Sequence, residues 1–500
     1  MLVIISDIHL TDETTCRTLD PGAFRIFAER LQDLAVRASW RSDGGYRPLT
    51  GIDVLLLGDA LDLIRSSVWQ GEGPKPWDDT HGHGYVQRVA KVLRGTLSHN
   101  VRSLAILKAL SVEQIIRLPE SSPDHKPDFE GPQIPVPVRV HYMVGNTDWM
   151  LHNQGESYRL IRQVVCDELG LANDPAKPFP HQGADDPVLA DILARHRVCA
   201  RHGDQWDPLS YSGRRDQSSL SDVLAIELIT YFRDQVEATL GDQLPASTRL
   251  GLSELDHVRP LAMAPLWLDQ LLRLTCPVDS LQYEIRGQWD RAVRRMLDLK
   301  IVRDGQLAYY LGSFDELAQL MMFQGQIATD QGEQLAAWIA KSRGGRTLSL
   351  VRNAMHEPEF RNRRARHFVY GHTHVAETVP LDASFMDGYV LNQIYFNSGT
   401  WRRTYHPTGK EDSPREFLPA EAMSYLTFYA DDERHGAPYE VWSGILGTAP
   451  SPIRRIRVDG PQQALKPSKA FIAAGEQKLA RPHFLSGAAA HSIPKPPAAG

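Results

Sequence analysis

Five short stretches carry the side chains that could do chemistry: Asp7-x-His9, Gly58-Asp59-x-x-Asp62, Gly145-Asn146-x-Asp148, His202-Gly203-Asp204 and Gly371-His372-x-His374. They offer carboxylates, one amide oxygen and four imidazoles, with no thiolate. Hard oxygen and borderline nitrogen donors of this kind suit Mn²⁺, Fe, Zn²⁺ or Mg²⁺. A dinuclear centre is the economical expectation. A short carboxylate such as Asp59, set behind a glycine that lets the chain turn tightly, can offer one oxygen to each of two ions about 3.5–4 Å apart. In an extended Asp7-x-His9 both side chains leave one face of the strand end, and His372-x-His374 repeats the arrangement. Such an ion pair lowers the pKa of a shared water and neutralises charge growing on a phosphoryl group. Singly the motifs are weak: Gly58-Asp59 is a common turn dipeptide, Asp7-x-His9 could cap a helix, and a lone His202 is more often a satisfied buried histidine. Their joint occurrence favours a metal centre.

The elements that must position these groups are short apolar runs: Leu2–Ile5, Val54–Leu57, Val138–Val144, Arg197–Ala200, Phe368–Tyr370 and Ile394–Phe396. Nearly all are followed within a residue or two by Asp, Asn or His, which reads as buried strands ending in polar loops. Between the first two, Ala23–Ala38 places Phe24, Phe27, Leu31 and Leu34 on one helical face. Strand, helix, strand marks an α/β layer, whose ligand crevice lies at the strand C-termini. Two stretches interrupt the series. Residues 66–135 hold a Gly/Pro/His-rich part, a helix over Tyr85–Leu97 and a Pro-rich run near Pro119–Pro137, read as a surface excursion. Residues 208–366 read as mainly helical, with helices over Ser219–Leu240, Pro265–Leu274, Gln288–Leu299, Phe314–Phe323 and Glu333–Lys341. Strand-like runs follow at Tyr425–Tyr429 and Tyr439–Trp442, then a Pro/Ala/Gly-rich tail, 458–500, expected to be disordered.

In this order the motifs resemble the calcineurin-like metallophosphoesterase superfamily, whose members carry D-x-H, G-D-x-x-D, G-N-H-[DE], a lone His and G-H-x-H. The resemblance implies a four-layer α/β/β/α sandwich over residues 1–450, with 208–366 as a helical insert capping the site. It implies one metal held by Asp7, His9, Asp59 and His374 and a second held by Asp59, Asn146, His202 and His372, with Mn²⁺ the first expectation. The implied activity is a phosphatase or phosphodiesterase reaction: hydrolysis of a phosphomonoester, phosphodiester or pyrophosphate bond by a metal-activated hydroxide, on a phosphorylated small molecule. The family commonly places after Gly-Asn a His thought to protonate the leaving oxygen, whereas this chain has Thr147. A threonine hydroxyl is far too weak an acid for that task. Either another group such as His152 reaches in, with Asn146 and Asp148 completing the catalytic set, or the leaving group departs as a stabilised anion, as from a phosphoanhydride or aryl ester, or the site is slow. Protein Ser/Thr phosphatases are disfavoured because no Arg directly follows Asp62. The group around UDP-diacylglucosamine hydrolase is the nearest in look, since it also replaces that His and ends in G-H-T-H. The long insert does not match that group's membrane-touching cap.

Composition narrows the classes. Hydrophobic residues make up 42% and charged residues 23% of 500, which excludes a disordered or fibrous chain. A net charge of −6 gives no global attraction to polyanions. Four scattered cysteines without a C-x-x-C pair read as free thiols rather than a disulfide framework. The start MLVIISDIHL does not read as a secretory signal, and no run of about 18 uncharged apolar residues occurs. A cytoplasmic protein without stable membrane insertion is expected, and no obligate protein partner is readable. The apolar stripe of Ser219–Leu240 reads as packing between helices.

Other groups divide between roles. Asp62 either orients a ligand imidazole or lies at the surface. His81 and His83 read as exposed. Arg402 or Arg403 could clamp a phosphate, or Trp401 beside them could close the core. Arg361, Arg363, Arg364 and Arg366 read as a solvated face, and a backbone-tracking role for them would make the protein a nucleic-acid phosphodiesterase. A catalytically impaired, metal-stabilised binding or scaffold protein is the alternative from another class.

Overall fold

The aliphatic run Leu2–Ile5 forms strand β1, and its four residues are buried on both faces. It pairs in parallel with β2 (Ile52–Leu57), Val3 opposite Val54, and β2 pairs in parallel with β5 (Val138–Met143), Leu55 opposite His141. The helices expected between them form. α1 (Pro21–Ala38) starts where the Asp20 carboxylate accepts from Gly22 N–H and Pro21 presets the first turn. α2 (His83–His99), α3 (Val101–Ser111) and α4 (Glu156–Leu169) cover the same face. There Val3, Ile5, Val54, Leu56, Val140 and Tyr142 share one apolar cluster with Phe24, Phe27, Leu31 and Leu34 of α1. The Pro-rich run is not irregular. It folds as a hairpin, β3 (Arg117–Ser121) with β4 (Pro127–Pro135), and its prolines are accommodated because these two strands pair only with each other and keep free edges.

The structure, a computed structural model, describes residues 1–303, 314–323, 330–386, 389–408 and 416–447. All of them belong to one unit, Met1–Ile456, and the tail read as disordered, 458–500, lies outside the described residues. After α5 (Pro187–Arg195) come β6 (Val198–Ala200), the helical region, and then β7 (His367–Tyr370), β8 (Glu377–Met386), β9 (Tyr389–Asn397), β10 (Arg403–Thr408), β11 (Glu416–Phe428) and β12 (Tyr439–Gly447). One sheet runs β10-β11-β1-β2-β5 with β12 on β11, and β11 lies antiparallel to β1. A second runs β6-β7-β9-β8, with β6, β7 and β9 parallel. The protein is therefore α/β with a mixed central sheet and a helical region. Alternate residues of β1 and β2, Leu2, Ile4, Leu55 and Leu57, share a cluster with Val198, Ala200, Val369 and Phe396 of the second sheet. The opposite faces of β6, β7 and β9 present Cys199, Phe368, Tyr370 and Tyr395 to Leu350 and Ala354.

Ser219–Leu240 is helical but not uniformly α. α6 (Leu220–Val223) passes through a π segment, Leu224–Thr230, into α7 (Tyr231–Leu240). The reason lies in the stripe: Leu220, Leu224, Leu228, Phe232 and Val236 recur every four residues, which drifts around a 3.6-residue helix, and the wider π turn takes up that drift. All five are buried against α8 (Ala264–Thr275) and α9 (Asp279–Leu297), in a cluster with Trp267, Leu271 and Trp289. Trp267 packs against Tyr405 of β10 with tilted rings 5.3 Å apart, and Val258 bridges to the same residue, so the helical region is seated on the first sheet. Among the described residues no helix is long and apolar enough to cross a membrane. The four cysteines are free and buried.

Candidate metal centre

Parallel pairing of β1, β2 and β5 in one sheet, and of β6 and β7 in the other, brings the five motifs to one place. The chain does not leave β1 and β7 in the extended form that strand alternation suggests. Asp7, His9, Asp59, His372 and His374 all have positive φ, between 51° and 67°, a region Asp and His enter more readily than most residues. Asp7-x-His9 therefore converges through two left-handed residues around buried Ile8. Their N–H groups donate to the carbonyls of Gly58 (3.2 Å) and Asp59 (2.8 Å). Strain of this kind persists only where the surroundings over-determine it, and it gathers at functional sites.

Side chains arrive as two imidazole pairs with a carboxylate between them. His9 and His374 stack at 4.9 Å, and His202 meets His372 edge-on at 5.5 Å. Asp59 Oδ2 stands 3.5 Å from His9 Nε2 and 3.4 Å from His202 Nε2. Asp7 Oδ1 is 3.4 Å from His374 Nε2 and 3.8 Å from His9 Nε2. Asn146 Oδ1 is 3.3 Å from His202 Nε2 and 2.9 Å from His372 Nδ1. Two donors about 2.1 Å from one ion lie about 3.0–3.5 Å from each other, so most of these spacings suit edges of coordination polyhedra.

Protons support the same fit. His9 Nδ1–H donates to Asp62 at 2.8 Å, leaving Nε2 buried without a partner, and Asp7 Oδ1 is buried and unpartnered beside it. His202 Nδ1–H donates to the Leu57 carbonyl at 2.9 Å, which turns Nε2 to the centre. Each ring nitrogen of His372 faces an oxygen, Asn146 Oδ1 and Asp207 Oδ2, the latter at 3.1 Å. A neutral imidazole can donate to only one of the two, so a cation at Nδ1 completes the arrangement. Two nearby buried groups, Asp7–His9–His374 and Asp7–Asp59–His202, can thus hold metal ions. A third cluster, Cys199–Glu357–Glu359, already faces a cation: Arg201 Nη2 lies 3.4 Å from Glu357 and 3.8 Å from Glu359.

Burial would raise the Asp59 carboxyl, but the imidazoles of His202 and His9 and the amide of Thr147 hold it well below the usual carboxylate range. His202 is correspondingly lifted well above an ordinary imidazole, against burial, by Asp59. Burial and then Arg259 push His374 well down, keeping it neutral and available as a donor. Asp62 and Asp207 behave as supports: burial opposes their charge, yet Arg65 holds Asp62 ionised and Arg343 holds Asp207 ionised.

His9, Asp59, Asn146, His372 and His374 line a cleft of about 780 Å³. Other sequence candidates lie elsewhere. Asp148 is fully buried, accepting from Gly145 N–H (2.6 Å) and Tyr142 O–H (2.7 Å), which shapes the Gly145–Asn146 turn. His152 donates to the Phe179 carbonyl at 2.7 Å and does not line the cleft. Arg402 points to His257 (3.0 Å) and Cys16, and Arg403 pairs with Glu254 (3.2 Å) and Glu421 (3.3 Å), so neither guanidinium borders the cleft. Arg361, Arg363, Arg364 and Arg366 are exposed and also lie off the cleft walls, as do His81 and His83.

The cleft instead presents Arg65, Arg259 and Arg343, which sequence reasoning passed over. Arg65 had a faint signal, three residues after Asp62. Arg259 had none, lying within the long helical region. Compared with protein-family models and with curated proteins, the chain matches none.

Proposed function

We propose that this protein is a dinuclear-metal-dependent phosphoesterase of the calcineurin-like kind, acting on a phosphorylated small molecule. The observation that carries the reading is the placement of Asp59 Oδ2, 3.5 and 3.4 Å from imidazole nitrogens of two separate pairs, beside the unpartnered Asp7 Oδ1 and His9 Nε2. Asp7, His9, Asp59 and His374 would hold one ion, and Asp59, Asn146, His202 and His372 the other. When bound, the ions supply an activated water and neutralise charge on the phosphoryl group. The apolar cluster shared by the two sheets, with helices over their outer faces, supports an α/β/β/α sandwich.

The chain's own residues set the limits of the reaction. Thr147 donates its N–H to Asp59 Oδ1 at 2.9 Å, and its hydroxyl is turned toward the Leu61 carbonyl. It orients the carboxylate and is no acid. His406, the cleft imidazole outside the metal set among the described residues, is pushed down to about 4 by burial and by Arg259, so it carries no proton at neutral pH. Leaving groups that depart as stabilised anions, from a pyrophosphate or an aryl ester, therefore suit the site better than alkyl esters.

The test is Asp59→Asn. Metal content should fall, and hydrolysis of bis(p-nitrophenyl) phosphate with Mn²⁺ should be nearly abolished. Full activity in that variant overturns the reading, and wild-type protein that binds metal without turning over any mono- or diester of a broad panel points to a binding role instead.

A further inference from the structure

We propose that Arg259, brought in by the helical region, is the residue through which this site selects phosphoryl groups that carry two negative charges; the inference rests on the phosphoesterase reading. Arg259 is 6% exposed and lines the cleft. Its Nε lies 3.4 Å from His374 Nε2, at the edge of the candidate centre. Nη1 donates to the carbonyls of Asp256 and Val258, both at 2.8 Å, which fixes the plane of the guanidinium. Nη2 is buried and has no partner.

No carboxylate neutralises this group by a direct bond among the described residues. Asp62 bonds Arg65 at 2.9 Å, and the adjacent Asp256 bonds Arg65 through Oδ1 at 2.8 Å, its Oδ2 making no hydrogen bond. Arg402, another buried guanidinium without a carboxylate bond, faces His257 and Cys16 away from the cleft. A buried cation with no directly bonded anion is costly unless one meets it. An oxygen placed against Nη2 provides that anion at the rim of the centre.

Charge decides which anion. Asp7 and Asp59 bring two negative charges against four positive charges from two divalent ions, and Arg259 adds one more positive charge on the substrate side. Each added positive charge favours a dianion over a monoanion. A phosphomonoester or the terminal phosphate of an anhydride is largely dianionic at neutral pH, whereas a diester carries a single charge. The rest of the substrate would lie against Leu224, Leu261, Leu348 and Val375, which make that wall apolar.

The experiment titrates inorganic phosphate and dimethyl phosphate calorimetrically into the full chain, metal-loaded and chelator-treated, for wild type, Arg259→Met and Arg259→Lys, with metal content measured first. Arg259→Met should retain wild-type metal, bind inorganic phosphate about 10–100-fold more weakly and bind dimethyl phosphate nearly as before. Arg259→Lys should recover part of the loss. Without phosphate, Arg259→Met should melt at or above the wild-type temperature, because an unpaired buried charge has gone. A purely structural arginine predicts the opposite, a lower melting temperature with both ligands weakened alike, and that result overturns the inference. So does metal-loaded Arg259→Met that binds phosphate as wild type does. Wild-type protein that takes up no metal overturns the phosphoesterase reading itself.

Discussion

Gly145→Ala changes no candidate ligand, yet it should disable the centre. The Gly145 backbone is clamped on both sides: its N–H donates to Asp148 at 2.6 Å and its carbonyl accepts from Arg215 at 2.8 Å. A Cβ there would press on Asp59 Oδ1 and lie 2.7 and 2.8 Å from His202 Nε2 and Cδ2, where ordinary contact begins at 3.4 Å. Both neighbours are themselves held, Asp59 by Thr147 N–H and His202 by the Leu57 carbonyl. Something must therefore yield by roughly 0.6 Å or more, while metal–ligand distances tolerate about 0.2 Å. Overpacking of this kind costs about 1–3 kcal/mol of stability, so the variant should still fold. Displaced donors should cost about 10–100-fold in metal affinity, or about 1.4–2.8 kcal/mol. The assay is Mn²⁺ titration by calorimetry, with metal content by mass spectrometry and melting followed by circular dichroism. Gly287→Ala is the control, since a Cβ on that glycine of α9 meets only Arg291 Nη1, at 3.4 Å. A folded Gly145→Ala protein that binds Mn²⁺ with wild-type affinity and stoichiometry would refute the geometry argued here.

Two further predictions concern pH. Burial raises the Asp222 carboxyl to about 7 against its bonds from Ser218, Ser219 and Trp149. The native state therefore holds that proton more tightly than the unfolded chain, and the associated stability, about 4 kcal/mol at most, is lost as pH rises from about 4 through 7. Asp222→Asn should flatten that part of the stability profile in urea titrations, and an unchanged slope would contradict the assignment. His367, among Phe396, Phe428 and Tyr439, is pushed down to about 4 by burial. A depressed base binds fewer protons when folded, so stability present above about pH 6.5 is lost as pH falls toward 4, by about 3 kcal/mol at most. His367→Phe should blunt acid unfolding, and equal acid sensitivity would count against it. Finally, Trp267→Ala removes the fully buried side chain packed on Tyr405. It should cost about 3–5 kcal/mol in equilibrium unfolding, and a loss below about 1 kcal/mol would mean the helical region is not seated there.

What could be read from the sequence was local. The runs at Leu2, Val54, Val138, Arg197 and Phe368 and the apolar face of Ala23–Ala38 each encode an element through neighbours a few positions away, and the elements formed with ends shifted by a few residues at most. The order of Asp7, His9, Asp59, Asn146, His202, His372 and His374 behind those strands was equally legible, because residue type and position relative to a strand end are properties of the chain itself. The Pro-rich hairpin was missed because its strands are stabilised by each other rather than by any internal period. Tertiary structure alone decided the rest. The left-handed turns at Asp7 and His9 arise from hydrogen bonds to Gly58 and Asp59, some fifty residues away. Asp207 supports His372 across 165 positions of sequence, and Arg259 reaches His374 across 115. Arg402 and Arg403, adjacent to a strand and chemically suited to phosphate, point elsewhere because Cys16, Glu254 and His257 arrive first. A side chain's partner is set by which distant elements pack beside it, and no local pattern encodes that packing.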